Sequence, residues 1–420
     1  MKCRNVLRAI SFIIVFCILF LTCENIFFNK NQLTPVWEKV QRGEEIDILI
    51  MGNSHAYTSL DAAVLSQAAG LDVELLGSPS QYMEQTLENL KVVLNYQSPK
   101  YIILEINALY GDNKEKMQGE SRGFQLQNSD GIENYCYKFQ SVVNTYKPVD
   151  VLTAMFQLVR PVNMWTRWEK FSERKDYIKD ANGFRGTGSF AVLSIEMQEF
   201  QDAYQSKYFE GKKTELTDYN EAAFRDFLNL AQKNNIEVWI YKAPTTRTAY
   251  AGYTCAVEEI CRDYENVAYI DDMHMVAADI GLTGGDWYDS GHLSRSGAGK
   301  VTQYYGQLMA ERFGRTADFA SAFAYQTETV AENPDGTYSY AMKNYSKDCL
   351  YQFKMYVDGI LQDVQEYSEK NVYECEYDIR INQNCQIYCS MIPGRDADLG
   401  DNSASRIYLS FMKQNECVIE

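Results

Sequence analysis

The chain is poor in histidine and in positive charge, and no stretch of it is repetitive. Three histidines occur in 420 residues, His55, His274 and His292, so any histidine-based chemistry rests on one of them. Lys and Arg number 40 against 57 Asp and Glu, a formal net charge of -17. Nucleic acid is disfavoured as a partner, because phosphate binding needs a basic surface. Acidity of this degree serves solubility first, and a surface that keeps off anionic polymers is the weaker reading. The 11 cysteines include no Cys-x-x-Cys, and no histidine lies near a cysteine pair, which leaves no zinc pattern. Residues 296–300 hint at a phosphate loop, but a Walker motif needs Gly and Ser or Thr where Ser294 and Val301 stand. No metal and no cofactor is expected.

Hydrophobic residues at 46% and charged residues at 23% fit a globular chain, long enough for one large domain and a smaller one. One run is unusually apolar. Residues 9–23 carry no charge, and Lys2, Arg4 and Arg8 precede them. A bilayer core takes roughly 20 apolar residues. Residues 6–28 reach that length if Arg8 and Glu24 snorkel at the two ends. The alternative is a cleaved signal peptide, which would make the chain secreted. No small-x-small pattern follows the run, and that favours the uncleaved anchor. In either case the basic flank stays in the cytoplasm and the remainder lies outside. Cys3, Cys17 and Cys23 belong to this segment. Beyond it, Cys255 with Cys261, or Cys385 with Cys389, are disulfide candidates whose pairing the sequence does not decide.

Residues 29–45 are polar and read as a stalk. Residues 47–51 are a short, mostly apolar strand. Residues 59–70 read as a helix with Ser59 as its cap and Gly70 as its stop. A second strand at 73–77, a helical spacing at 83–94 and a third strand at 101–106 follow. Strand alternating with helix implies right-handed crossovers and a parallel sheet. The alternation breaks at about 113. A polar and aromatic insertion, partly helical and containing Trp165 and Trp168, runs to about 217. Those tryptophans suit packing within the insertion better than stacking on sugar rings. An amphipathic helix then begins at Asp218, followed by a strand at 236–244, a helix at 250–264, a strand at 267–271 and a last helix at 298–313. From about 325 short alternating stretches are separated by turn signals such as Asn333-Pro334-Asp335-Gly336, the pattern of an antiparallel β domain. The expected organisation is a membrane anchor or signal segment at 1–28, an α/β domain at 46–313 and a small β domain at 325–420.

A serine becomes a nucleophile only beside a base. Ser54 follows the first strand and His55 follows Ser54. Adjacent side chains in extended backbone point opposite ways, so His55 is poorly placed as the base and reads as structural. His274 has no serine, cysteine or Gly-rich loop beside it. His292 has Asp289 three residues ahead. In a turn, that spacing lets the carboxylate reach Nδ1, fix the tautomer and leave Nε2 free to take a proton. Ser54 and His292 should then lie within ~4 Å of each other.

These residues resemble a known family. Gly52-Asn53-Ser54-His55 after a first strand, with Asp289-Ser290-Gly291-His292 before a final helix, resembles the SGNH, or GDSL-type, hydrolase superfamily. The closing block matches D-x-x-H-L-N-x-x-G, with Ser294 replacing Asn and Gly297 matching the Gly. The likeness covers residues 46–109 and 218–313 and leaves out the insertion and the tail. It implies a three-layer α/β sandwich around a parallel sheet of about five strands. Its site lies beyond the carboxyl ends of the strands, as in open α/β sheets generally. It implies Ser54 as nucleophile, His292 as general base and Asp289 as orienting acid. The family's oxyanion hole uses the serine N–H, a glycine and an asparagine. Gly77 and Asn107 fit those roles, although the usual G-x-N-D is absent and Glu105 stands near Asn107.

The chemistry so implied is acyl transfer through an acyl-serine, on an acylated glycan or a small ester. A single anchor bearing an external domain resembles proteins that O-acylate envelope polymers, such as the D-alanyl transfer protein of teichoic-acid modification and the alginate O-acetyltransferases. Those work beside a multi-spanning membrane O-acyltransferase. Two other readings stand: a carbohydrate or lipid esterase without that partner, and an inactive scaffold that binds a glycan or a membrane partner.

Overall fold

The computed structural model describes residues 2–28, 31, 33–110, 122–160, 197–272, 276–277, 280–282, 286–287, 289–293, 295–315, 328–342, 349–358, 360–378, 385–393 and 407–411. His274, Ser294, Trp165 and Trp168 lie outside the described residues.

The chain opens with helices α1 (Lys2–Phe27) and α2 (Thr34–Gln41). The first alternating part runs β1 (Ile48–Gly52), α3 (Ser54–Tyr57), α4 (Ala62–Ala69), β2 (Val73–Gly77), α5 (Met83–Val93) and β3 (Tyr101–Glu105). Among the described residues the α-helices α6 (Arg122–Gln125), α7 (Tyr135–Thr145), α8 (Val151–Met155) and α9 (Met197–Phe209) follow. The alternation resumes with α10 (Asp218–Lys233), β4 (Glu237–Lys242), α11 (Ala251–Cys261), β5 (Val267–Asp272) and α12 (Arg295–Arg312).

The five strands form one parallel sheet in the order β2-β1-β3-β4-β5. Strands buried on both faces split their side chains between two cores, because successive residues point to opposite faces. Leu49 and Met51 of β1 join one apolar cluster with residues of α2, α5, α10 and α11. Ile48 and Ile50 join the other, with Leu65 of α4 and Val301, Tyr305 and Met309 of α12. The result is an α/β arrangement with helices on both faces of a central parallel sheet.

Four expectations need correction. The described part of the expected stalk at 29–45 is not free: Leu33, Val36, Trp37 and Val40 are buried in the core of the sheet domain. Their spacing of three, four and seven puts them on one face of α2. Lys39 adds ion pairs to Asp72 at 2.5 Å and Glu74 at 2.8 Å. Second, Gly70 does end α4 in the left-handed conformation, but the cap is Asp61, whose carboxylate accepts the Val64 N–H. Ser59 instead donates to the His55 carbonyl. Third, Cys255 and Cys261 lie on one helix and are not joined in a disulfide. Six residues of helix separate them by about 9 Å, beyond disulfide reach. Fourth, Cys385 is free, and Cys389 sits four residues along the same strand, which is too far.

The tail strands are antiparallel. β6 (Glu328–Glu332), β7 (Tyr338–Met342) and β10 (Val372–Cys375) form a sheet in the order β10-β7-β6. β8 (Cys349–Val357), β9 (Ile360–Ser368), β11 (Cys385–Pro393) and β12 (Ile407–Phe411) form a second, in the order β12-β11-β8-β9. Phe353, Tyr340 and Ile387 bury a small core that includes Ala298 of α12.

Candidate active site

Strand β1 delivers Ser54 to the carboxyl edge of the sheet. Gly52 makes the exit possible. Its φ is +154°, and a Cβ there would stand 2.8 Å from the Glu105 Cβ. Asn53 follows in extended backbone and caps the short helix α3, its side chain accepting the His55 N–H at 3.0 Å. Ser54 is thus the first residue of a helical turn, where the N–H has no intrahelical acceptor.

The second half of the site is a loop 238 residues away. His292 Nε2 lies 2.9 Å from Ser54 Oγ. Its Nδ1 lies 3.0 Å from each oxygen of Asp289. Asp289 Oδ1 also accepts the backbone N–H groups of Gly291, at 2.7 Å, and His292, at 2.8 Å. Burial pushes the Asp289 carboxyl up, but the His292 ring and these two amides outweigh it and hold the group below its ordinary value. A carboxylate fixed on Nδ1 places the exchangeable proton there and leaves the Nε2 lone pair directed at Ser54.

The loop is anchored from three sides. Trp287 and Leu293 form an antiparallel bridge across its base, and both are buried. Asp286 takes an ion pair from Lys300 of α12 at 2.6 Å, and the Lys300 ammonium also donates to the Gly281 carbonyl. Gly297 packs so tightly on Asp286 that a Cβ would fall 2.3 Å from its carbonyl oxygen. From the β4 side, Thr246 donates both its N–H, at 2.9 Å, and its hydroxyl, at 3.0 Å, to the Ser290 carbonyl.

His55 is not on the Ser54 oxygen. Its buried ring stacks on His292, with centroids 4.7 Å apart and an interplanar angle of 23°. The ring therefore supports the face of the His292 imidazole.

Gly77 and Asn107 flank Ser54 by sheet order. Gly77 ends β2 and pairs with Gly52 in register, close enough that a Cβ would meet the Gly52 carbonyl at 2.9 Å. Asn107 lies just past β3, on the other side of β1. Its N–H donates to Glu105 Oε2 at 3.0 Å, and its side-chain oxygen accepts from Lys242 Nζ at 3.1 Å. With that oxygen engaged, Nδ2 is the amide atom left to donate.

The sequence reading missed Lys242. It is fully buried at the end of β4, donates to the Ala243 carbonyl as well, and lies 5.3 Å and 5.1 Å from the ring centres of Tyr110 and Tyr250. Glu105 is buried beside it, and burial pushes its carboxyl up to about 7, against the pull of Lys242 and the Asn107 and Ala243 amides. A lysine closing the apolar run Val238–Tyr241 was the available signal, since a lysine is almost never fully buried without a partner. Among the described residues no cluster of His, Cys, Asp and Glu could hold a metal ion.

No protein-family model matches the chain, and comparison with curated proteins finds no match.

Proposed function

We propose that the chain is a serine-dependent acyl-transfer enzyme of the SGNH type, acting on O-acyl groups of a cell-envelope glycan. The observation that carries the reading is the continuous hydrogen-bond line from Ser54 Oγ through the His292 ring to Asp289, built at the carboxyl edge of a parallel sheet. SGNH membership rests on the two sequence blocks that supply those three residues. The external setting rests on reading the apolar helix Arg4–Ile26 as an uncleaved anchor with its basic end in the cytoplasm. The two tail sheets are taken as a small C-terminal β domain.

In the proposed reaction Ser54 Oγ attacks an ester carbonyl while His292 Nε2 takes its proton. Asp289 holds the imidazolium that forms and is not itself protonated. The oxyanion sits between the Ser54 N–H, the Gly77 N–H and the Asn107 amide. His292 returns the proton to the departing alcohol, leaving an acyl-serine. A second hydroxyl, from water or from a glycan, then gives its proton to His292 and takes the acyl group. Hydrolysis and transfer differ only in that acceptor, and a multi-spanning membrane O-acyltransferase is the proposed donor of acyl groups in the transfer case.

The test is acyl-enzyme trapping. The full chain is incubated with an activated acetate ester, quenched in acid and digested. The reading expects an acetyl group on the peptide carrying Ser54, discharged faster when a glycan acceptor is added in the transfer case. Acetate found only on surface lysines, or no adduct in acid-quenched samples with no ester turnover, would leave the scaffold reading in its place.

A further inference from the structure

The helices after β3 expose an apolar surface beside the end of the N-terminal helix. Helix α7 buries Ser141, Val142 and Thr145 against the domain. Tyr137, on one flank of that helix, stacks edge-on to Tyr96 of the sheet domain. On the opposite flank Tyr135, Phe139 and Val143 recur every four residues and are exposed, Phe139 by 51%. Helix α8 shares a small apolar core with α7, and its Leu152, exposed by 66%, and Val159 beyond it are further exposed apolar side chains. Exposed apolar side chains grouped in this way mark an interaction surface.

The N-terminal helix shows what covers it. Glu24 of α1 is buried, and its two carboxylate oxygens accept the N–H groups of Gln157 at 2.7 Å and Leu158 at 2.8 Å. One turn earlier, Phe20 meets Phe156 edge to face at 5.1 Å. Phe156 in turn lies 5.9 Å from Tyr135, the first residue of the exposed stripe. Glu24 marks the outer end of the apolar segment, so Phe20 lies about 6 Å inside it. Phe156 shares that depth. A domain whose Phe156 reaches the level of Phe20 holds its adjoining surface at the membrane boundary.

We infer that the stripe Tyr135, Phe139, Val143, Leu152 and Val159 is seated in the lipid interface, so that α1 and this surface together hold the domain flat on the bilayer. The inference rests on reading α1 as a retained membrane anchor. It explains why Glu24 is satisfied by backbone amides at the helix end, where an unpaired carboxylate would be costly. A surface seated in lipid also fixes the height of the Ser54 site above the membrane, as an enzyme receiving acyl groups from a membrane partner requires.

The test uses the full chain, one copy per lipid nanodisc, with acyl-chain-brominated phospholipid as the quencher of tryptophan emission. Three variants each add one tryptophan: Phe16→Trp in the anchor, Phe139→Trp in the stripe, and Phe209→Trp on α9, a residue exposed by 72% that serves as the aqueous control. The inference expects the added emission of Phe16→Trp and Phe139→Trp to be largely lost in brominated discs and that of Phe209→Trp to be kept. Quenching of Phe16→Trp with Phe139→Trp unaffected overturns the lipid seat while leaving the anchor, and points to a protein as the covering partner. Failure of the chain to enter discs, or no quenching of Phe16→Trp, overturns the anchor and the seat together.

Discussion

Ser54 Oγ and His292 Nε2 stand 2.9 Å apart although 238 residues separate them in the chain. Neither residue is held by the other. Ser54 is set by the end of β1 and the Asn53 cap, and His292 by a loop tied to Thr246, beyond the end of β4, and to α12. Two independently braced halves meeting at hydrogen-bond distance is the arrangement that preorganised nucleophilic chemistry requires.

Asp289 gives a pH signature. Its carboxyl is held below the ordinary value of 3.8 in the folded chain. Between that lowered value and 3.8 the unfolded chain binds more protons, so stability rises with pH there and is lost as pH falls through the lowered value. Asp289→Asn removes this contribution. Thermal unfolding followed from pH 6 down to about pH 3 should therefore fall more steeply for the native chain than for the variant. Parallel curves would contradict the assignment. In ester turnover the same variant should lose about 10⁴-fold in kcat, because the ring is no longer held in the required tautomer.

Lys242 Nζ donates to the Asn107 side-chain oxygen, and in the proposed reaction it positions that amide. Asn107→Ala should lower kcat by roughly 10²–10³-fold with little change in KM, as loss of an oxyanion donor does. Lys242→Met should lower kcat in the same way by freeing the amide to rotate. The informative measurement is the double variant. If Lys242 acts through Asn107, Lys242→Met costs little further in the Asn107→Ala background. Additive losses would mean that the two residues act separately.

The His55 ring stacks on the His292 ring, and the proposed reaction gives it the role of a support with His292 as the base. His55→Phe keeps a flat ring in the stack and should retain kcat within a few-fold. His55→Ala should lose up to about tenfold, the scale of a ring contact of ~0.5–1.5 kcal/mol. Loss of activity in His55→Phe as severe as in His292→Ala would assign the base to His55.

Trp37 tests whether residues 33–41 belong to the domain. It is fully buried, and a Cβ on Gly131 would fall 2.3 Å from its ring. Trp37→Ala should lower the unfolding free energy by about 3–5 kcal/mol, and Gly131→Ala by about 1–3 kcal/mol through overpacking. Denaturant unfolding measures both. No change in either would return this segment to the role of a stalk.

The parallel sheet was legible because its strands are short apolar runs set between amphipathic helices. Helix α10 begins at Asp218 and β5 at Val267, where the pattern places them. Helix α2 was hidden by its polar residues, although positions 33, 36, 37 and 40 carried the helical period. The α4 cap was misplaced because Ser59 and Asp61 are both capping residues, and only the backbone angle at Asp61 decides between them. Ser54, Asp289 and His292 were legible through the scarcity of histidine and one aspartate at turn spacing. The pairing of Lys242 with Asn107 joins residues 135 apart and exists only once β3 and β4 are side by side. The split of the tail into two sheets was likewise beyond alternation alone, which marks strands without naming their neighbours.

The central claim is that Ser54 is a nucleophile activated by His292. Labelling of the full chain with a fluorophosphonate, followed by mass spectrometry of the modified peptide, tests it most directly. The account predicts stoichiometric phosphonylation at Ser54 in the native chain, none in Ser54→Ala, and strongly slowed labelling in His292→Ala. An unlabelled native chain, or equal labelling of Ser54→Ala, would contradict it.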